Sequence, residues 1–202
     1  KTPTDLEAAV AFAREESIAI IPRGAATGIA GGCIGKGLIL DLAQFQNRIL
    51  DINYDEEYAV VETGVVQDQL NAAVADEGYR FGPDTSTGNR ATIGGMLGNN
   101  SSGAHSMRYG KTIDNILECE FLLPTSETLQ LSTMTAADLE AAAEEDTALG
   151  RICACLVDVR QNLADEIRQR YPKINRRVSG YSLDEMLGDE INLAKVVCGS
   201  EG

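Results

Sequence analysis

The sequence predicts a mixed helix-and-strand fold, built as one domain or as two intimate subdomains. Three observations carry this. Short apolar runs alternate with longer segments whose apolar residues recur at three- and four-residue steps. The 202 residues are enough for a sizeable core without requiring several independent domains. Two Gly-rich loops, each preceded by a proline, are each flanked by predicted strands.

In chain order, Pro3-Thr4-Asp5 opens a capped amphipathic helix with Leu6, Ala9, Val10 and Ala13 on one face, running to about Glu16. Residues 18–21 form a short apolar strand that Pro22 stops. A Gly-rich loop, 23–32, leads to a second strand at 38–42. Residues 48–52 and 58–63 flank a polar turn and read as a hairpin. A helix over 66–77 carries Leu70, Ala73 and Val74 on one face. This order allows an opening strand upstream of residue 1.

The stretch 81–111 is the centre of the chain. Seven of its residues are glycine, and most of the rest are small or carry hydroxyl or amide groups. Gly permits close backbone approach, and Ser, Thr and Asn supply compact donors and acceptors. Gly/Ser composition alone would also suit a flexible linker. Ile93, Met96, Leu97 and Met107 argue instead for an ordered ligand loop, because a solvated linker has no use for apolar anchors.

Beyond it, 113–123 and 128–131 resemble a hairpin turned at Pro124-Thr125-Ser126-Glu127. Residues 136–145 are Ala- and Glu-rich and helical. A longer helix over 149–170 carries Leu149, Ile152, Leu156, Val159, Leu163 and Ile167 at helical spacing. The basic patch Lys173-Ile174-Asn175-Arg176-Arg177 reads as a solvated loop. A short helix near 183–187 and an apolar segment at 191–198 close the chain. The stop at Gly199-Ser200-Glu201-Gly202, inside a Gly-rich turn, reads as a cut within a longer protein.

Composition narrows the partners. A net charge of −14 argues against nucleic acid and anionic membrane, both polyanions that would repel the chain. An anionic ligand remains feasible where backbone N–H groups and a few local cations hold it. No apolar run approaches the ~20 residues of a membrane helix, and signal-peptide features are absent. Cys33, Cys119, Cys153, Cys155 and Cys198 fit no disulfide or zinc framework. They read as buried or incidental thiols in a reducing compartment, which points to the cytoplasm, free or at the inner face of a membrane. His105 is the only histidine, so a multi-His metal site within this chain is excluded.

Two nucleotide motifs are absent. Gly35-Lys36 has Ala30 where the P-loop needs its first glycine and Gly37 where it needs a hydroxyl. The G-x-G-x-x-G fingerprint does not occur between a strand and a helix. What remains after Pro22 is a turn of successive N–H groups with the hydroxyl of Thr27 and the cation of Arg23, suited to a phosphate or pyrophosphate. An ordinary strand connection with Arg23 exposed is the bland alternative.

At this point the residues carry a resemblance. Pro22-Arg23-Gly24-Ala25-Ala26-Thr27-Gly28, Pro83-Asp84-Thr85-Ser86-Thr87-Gly88-Asn89-Arg90-Ala91-Thr92-Ile93-Gly94-Gly95 and Asn99-Asn100-Ser101-Ser102-Gly103 resemble the FAD-binding domain of the vanillyl-alcohol oxidase (PCMH-type) superfamily. Within it the chain is most similar to the FAD-linked D-2-hydroxy-acid dehydrogenases, the group of D-lactate dehydrogenase, the glycolate oxidase flavin subunit and D-2-hydroxyglutarate dehydrogenase. Arg108-Tyr109-Gly110-Lys111-Thr112, Gly180-Tyr181-Ser182-Leu183 and the terminal Gly199-Ser200-Glu201-Gly202 extend the likeness over essentially the whole chain.

The resemblance implies an α+β fold of two FAD-binding subdomains, 1–78 and 79–202, with FAD between them. It places Arg23, Gly24, Ala25, Ala26, Thr27 and Gly28, after Pro22, around the pyrophosphate. It brings Pro83, Thr85, Thr87, Ile93, Gly94 and Gly95 to the ribityl and pyrophosphate parts, and Asn99, Asn100, Ser102 and Gly103 beside the flavin or its chain. Tyr109 packs near the cofactor, and Glu201 and Gly202 lie near the adenine end. Ala26 stands where glycine is common, which requires a negative φ there. No His or Cys occurs in 23–28, so non-covalent FAD is expected.

The implied reaction takes a hydride from a small 2-hydroxy acid to FAD and passes the electrons to a quinone, cytochrome or iron–sulfur partner. The base and most of the substrate pocket come from a further C-terminal domain, so no catalytic residue is assigned in this chain. Arg108 and Lys111 are the better carboxylate-binding candidates, lying inside the cofactor stretch. His105 either faces the flavin ring or bonds to neighbouring backbone. An alcohol oxidase or reductase on the same scaffold, or a nucleotide-binding module without turnover, are the alternatives.

Overall fold

The computed structural model describes residues 1–201. Gly202, expected near the adenine end, lies outside the described residues. Helix α1 spans Pro3–Glu15. Thr2 is the cap, its hydroxyl accepting the Asp5 N–H at 3.2 Å while the Asp5 carboxylate accepts the Thr2 N–H at 2.8 Å. Strand β1 (Ile20–Arg23) pairs in parallel with β2 (Leu38–Asp41). Pro22 therefore does not stop β1 but lies inside it, opposite Leu40. That is tolerated because β1 has no second strand partner among the described residues, so no ladder bond needs the missing N–H.

Strands β3 (Ile49–Asn53) and β4 (Tyr58–Val61) form the expected antiparallel hairpin. At its open end Glu62 accepts hydrogen bonds from the Arg48 N–H at 2.7 Å and from its guanidinium at 2.7 and 3.0 Å. The guanidinium holds this carboxyl below its ordinary value of 4.5. A depressed folded-state pKa contributes stability above the unfolded value and loses it as pH falls through the folded one. Glu62→Gln should therefore destabilise the protein at neutral pH, with the gap to the parent closing in thermal melts taken progressively below about pH 4.5. A gap that persists undiminished at acid pH would contradict the assignment.

Helix α2 (Gln67–Val74) ends in a 3-10 turn at Ala75–Glu77, capped by Gly78 in the left-handed region. The next two elements were not visible in the sequence pattern. They are α3 (Ile93–Gly98), within the Gly-rich stretch, and α4 (Ser106–Tyr109). The expected strand at 113–123 is correct only for its second half, β5 (Cys119–Leu122), which pairs with β6 (Thr128–Leu131). Residues Thr112–Asn115 form a 3-10 turn instead. Their amides are drawn to other partners, Thr112 N–H to Ser101 O at 3.0 Å and Ile113 N–H to Asn100 Oδ1 at 3.0 Å. Strand β7 (Thr133–Thr135) leads into α5 (Ala136–Ala143) and α6 (Ala148–Arg170), capped by Thr135 and Thr147. Strand β8 (Glu190–Asn192) pairs with β7, and α7 (Leu193–Val197) follows.

Two cores result. Val65, Leu70, Val74, Ala91, Ile93 and Met96 pack with the inner residues of the β3/β4 hairpin. Leu131, Leu139, Cys153, Met186, Ile191 and Val196 form the second core, between the later sheets and α5–α7. Helix α3 joins them, since Met96 is buried in the first and its neighbour Leu97 packs on the second. All five cysteines are free. Burial pushes the thiol of Cys119 up to about 11 and that of Cys198 up to about 12, so both stay protonated at neutral pH.

Candidate cofactor site

The first Gly-rich loop leaves β1 at Arg23, whose guanidinium pairs with Asp41 at 3.1 Å. It then presents the backbone N–H groups of Gly24, Ala25, Ala26, Thr27 and Gly28, none of which has an acceptor among the described residues. Most of this stretch is partly buried. Successive unpaired amides of this kind can hold an anion.

This loop rests on α3. A Cβ on Gly24 would come within 2.1 Å of Thr92 Oγ1, and one on Gly28 would lie 3.7 Å from the Asn99 side chain. Thr92 and Asn99 flank the two ends of α3, so the bend after Pro22 and the bend after Pro83 are in contact. Ala26 corrects an expectation, because its φ is +56°, not negative. The left-handed conformation costs a residue with a Cβ roughly 1–2 kcal/mol, partly offset by the unfolded-state entropy that glycine would add. Ala26→Gly should raise Tm by about 2 °C, a fraction of a kcal/mol for a chain of this size. A lowered Tm would show the loop to be unstrained.

The second loop is held from beneath by Gln67, 1% exposed. Its amide donates to Pro83 O and accepts from the Thr85 hydroxyl at 2.6 Å. Thr87 O turns the chain by accepting the N–H groups of Arg90 and Ala91 at 2.9 and 2.7 Å. The amides of Ile93 and Gly94 are committed inward, to Val65 O and Thr63 O, both at 2.8 Å. A Cβ on Gly94 would lie 2.7 Å from Thr63 Cβ, so glycine here serves a close backbone approach within the chain. The N–H groups of Thr85, Thr87 and Gly95 have no acceptor among the described residues and remain available to a ligand.

Past α3 the expected residues divide. Asn99 stays exposed, its amide donating to Gly95 O at 2.9 Å. Asn100 is 2% exposed with φ of +44°, and its side chain organises the turn at Ile113. Gly103 is buried against the second loop, where a Cβ would stand 1.5 Å from Asp84 O. Tyr109 is half-buried, with the guanidinium carbons of Arg80 and Arg108 at 5.1 and 5.3 Å from its ring centre. The Glu201 N–H returns to Gly98 O at 2.8 Å, which brings the end of the chain to the end of α3.

Three arrangements lay beyond sequence reasoning. His105 bonds neither to backbone nor in isolation, because Nδ1 meets the Asp84 carboxylate, whose pKa this hydrogen bond lowers from 3.8. Residues 173–176 of the basic patch are exposed, as expected of a solvated loop, and Arg177 alone is tied down. Arg177 makes two 2.6 Å hydrogen bonds to Asp184 and covers the Tyr171 ring at 4.8 Å. Arg176 reaches Ser102 Oγ and Gly103 O at 3.4 Å, and Lys111 Nζ reaches Asn175 O at 3.4 Å. No spacing rule connects positions so far apart in sequence. Only Gln67, a polar residue opening an otherwise apolar helix face, left a faint local signal.

The donor set fits a flavin nucleotide, since unpaired amides suit a pyrophosphate. The comparisons agree. D-2-hydroxyglutarate dehydrogenase of Pseudomonas putida is 37% identical over 94% of this chain and 19% of its own length. The glycolate oxidase subunit GlcD of Escherichia coli K12 is 33% identical over 66% of this chain and 27% of its own. The structure of 6-hydroxy-D-nicotine oxidase from Arthrobacter nicotinovorans superposes with a TM-score of 0.58 at 23% identity, over 65% of this chain and 28% of that one, which shows a shared fold. The chain thus spans about a fifth of the length of the hydroxyglutarate dehydrogenases it matches. Residues 1–132 match the FAD binding domain family, and with both loops meeting at α3 the chain belongs to that family.

Proposed function

We propose that this chain is the flavin-holding part of a longer enzyme that oxidises a small 2-hydroxy acid. The observation that carries the reading is the run of unpaired amides from Gly24 to Gly28 seated on α3. In this reading those amides and Arg23 hold the pyrophosphate. Thr85, Thr87, Gly95 and Asn99 hold the rest of the cofactor, and Glu201 lies at its far end. When bound, FAD supplies the redox chemistry by accepting a hydride. The residues of this chain bind it, orient it and exclude water from its phosphates.

Two FAD-binding subdomains, 1–78 and 79–202, belong to the same proposal, with α3 of the second lending Ile93 and Met96 to the core of the first. Among hydroxy acids, D-2-hydroxyglutarate is favoured over glycolate because the likeness to its dehydrogenases runs through 94% of the chain and the likeness to GlcD through 66%. A quinone, cytochrome or iron–sulfur protein takes the electrons. A cytoplasmic setting fits the free thiols. No described helix is long and apolar enough to cross a membrane.

The test is a substrate screen on the protein carrying this domain, following the visible flavin absorption anaerobically. Bleaching by D-2-hydroxyglutarate is the expected result. Bleaching by simple alcohols alone would turn the assignment to an alcohol oxidase, and a colourless protein would end it. Because residues 23–28 hold no His or Cys, acid precipitation should leave the flavin in the supernatant. A yellow pellet would show a covalent link.

A further inference from the structure

We propose that His105 is a positioning residue for the cofactor: through its contact with Asp84 it sets the direction in which the second loop presents the Thr85 amide. The inference rests on the reading of the chain as a flavin-holding domain. It gives the chain's single histidine a role toward the cofactor that needs no contact with the flavin ring.

The Asp84 carbonyl and the Thr85 N–H belong to one peptide unit, which is planar and trans. In such a unit the two groups point in opposite directions. The carbonyl faces the stretch after α3, since a Cβ on Gly103 would stand 1.5 Å from Asp84 O, 2.1 Å from its carbon and 2.8 Å from Thr85 N. The Thr85 N–H is therefore aimed away from Gly103, and it has no acceptor among the described residues. Whatever fixes Asp84 against the Gly103 stretch also fixes the aim of that amide.

His105 does this from the same stretch. Its carbonyl opens α4 by accepting the Arg108 and Tyr109 N–H groups at 2.9 and 3.0 Å, and its ring reaches back 21 positions to the Asp84 carboxylate through Nδ1. Gly103 is tied to α4 as well, its N–H donating to Ser106 Oγ at 2.7 Å. One short segment thus grips Asp84 twice, packing Gly103 on its carbonyl and bonding His105 to its carboxylate. Arg80 lies at the other carboxylate oxygen, at 3.4 Å. Of the two partners, His105 is the main reason why the Asp84 carboxyl titrates below its ordinary 3.8. Gln67 fixes Pro83 O and the Thr85 hydroxyl, so the peptide between them is what the grip on Asp84 adds. The His105 side chain is 63% exposed, and a pair so exposed adds little to global stability. Its effect is local, on the loop it holds.

The experiment dilutes the FAD-loaded full-length protein and reads bound against free flavin after ultrafiltration, with far-UV circular dichroism reporting the fold. His105→Ala and Asp84→Ala should each raise the FAD Kd about 3- to 5-fold, the range for one exposed hydrogen-bonded pair. Adding His105→Ala to Asp84→Ala should change nothing further, because its partner is already gone. His105→Gln, which keeps a donor on a side chain of similar reach, should recover most of the loss, and every variant should keep the circular dichroism of the parent. Additive losses in the double variant, or a loss of affinity that tracks a loss of helix signal, would overturn the proposal. If the parent holds no FAD, the proposed function falls and this role with it. If the parent holds FAD with the same Kd as His105→Ala, the proposed function stands and the positioning role alone falls.

Discussion

Gly103→Ala should strip the protein of most of its flavin and lower its stability by about 3 kcal/mol, the upper range for a group forced into a filled space. The new methyl would stand 1.5 Å from Asp84 O and 2.1 Å from its carbonyl carbon. These are backbone atoms, fixed on one side by Pro83 and the Gln67 clamp beneath it, and cannot swing away as a side-chain tip can. The stretch after α3 would separate from the second loop, and the His105–Asp84 contact would open with it. For a chain of this size the cost corresponds to a fall in Tm of roughly 6–12 °C. Gly98→Ala is the control, since nothing lies within 4 Å of its Cβ position and alanine favours a helix. A Gly103→Ala variant that keeps its colour and its Tm would show that the two stretches do not pack as described.

Gln67→Leu is the second large effect expected. Leucine fills much of the same volume but leaves Pro83 O and the Thr85 hydroxyl without the partner they share. Leaving buried polar groups unpaired costs about 1–3 kcal/mol each, so a loss of roughly 2–3 kcal/mol is expected, with weakened FAD retention. Gln67→Glu tests the direction of the amide. At neutral pH it sets a carboxylate against Pro83 O, and it should be the less stable of the two variants. Acidification should narrow the difference, because a protonated carboxyl can donate where the amide did. If both variants melt with the parent, the clamp contributes nothing and the second loop is held by other means.

Both expectations concern contacts between parts of the chain that are distant in sequence, and that marks the line between what was legible and what was not. The capped helices α1, α5 and α6 and the β3/β4 hairpin could be read because their signals are local: a cap three residues from its partner, an apolar stripe, a polar turn. Helix α3 could not, since Ile-Gly-Gly-Met-Leu-Gly has poor helix propensity. It forms because Met96 and Leu97 enter two cores and because Thr63 and Val65 take its first amides. The same tertiary pull converted the first half of the strand expected at 113–123 into a turn around Asn100.

The residue order by itself determined which segments lack side chains bulky enough to keep a ligand away from backbone amides, and hence the kind of ligand. Glycines, prolines and small polar residues act over a few positions, so their consequences are written locally. The tertiary structure alone decided which amides stay free for that ligand and which are spent inside the chain. It likewise carried Arg176 to Ser102 and Gly103 and tied Arg177 to Asp184. Those outcomes depend on which carbonyl or carboxylate arrives from elsewhere in the fold, and hydrogen bonds reach only about 3 Å.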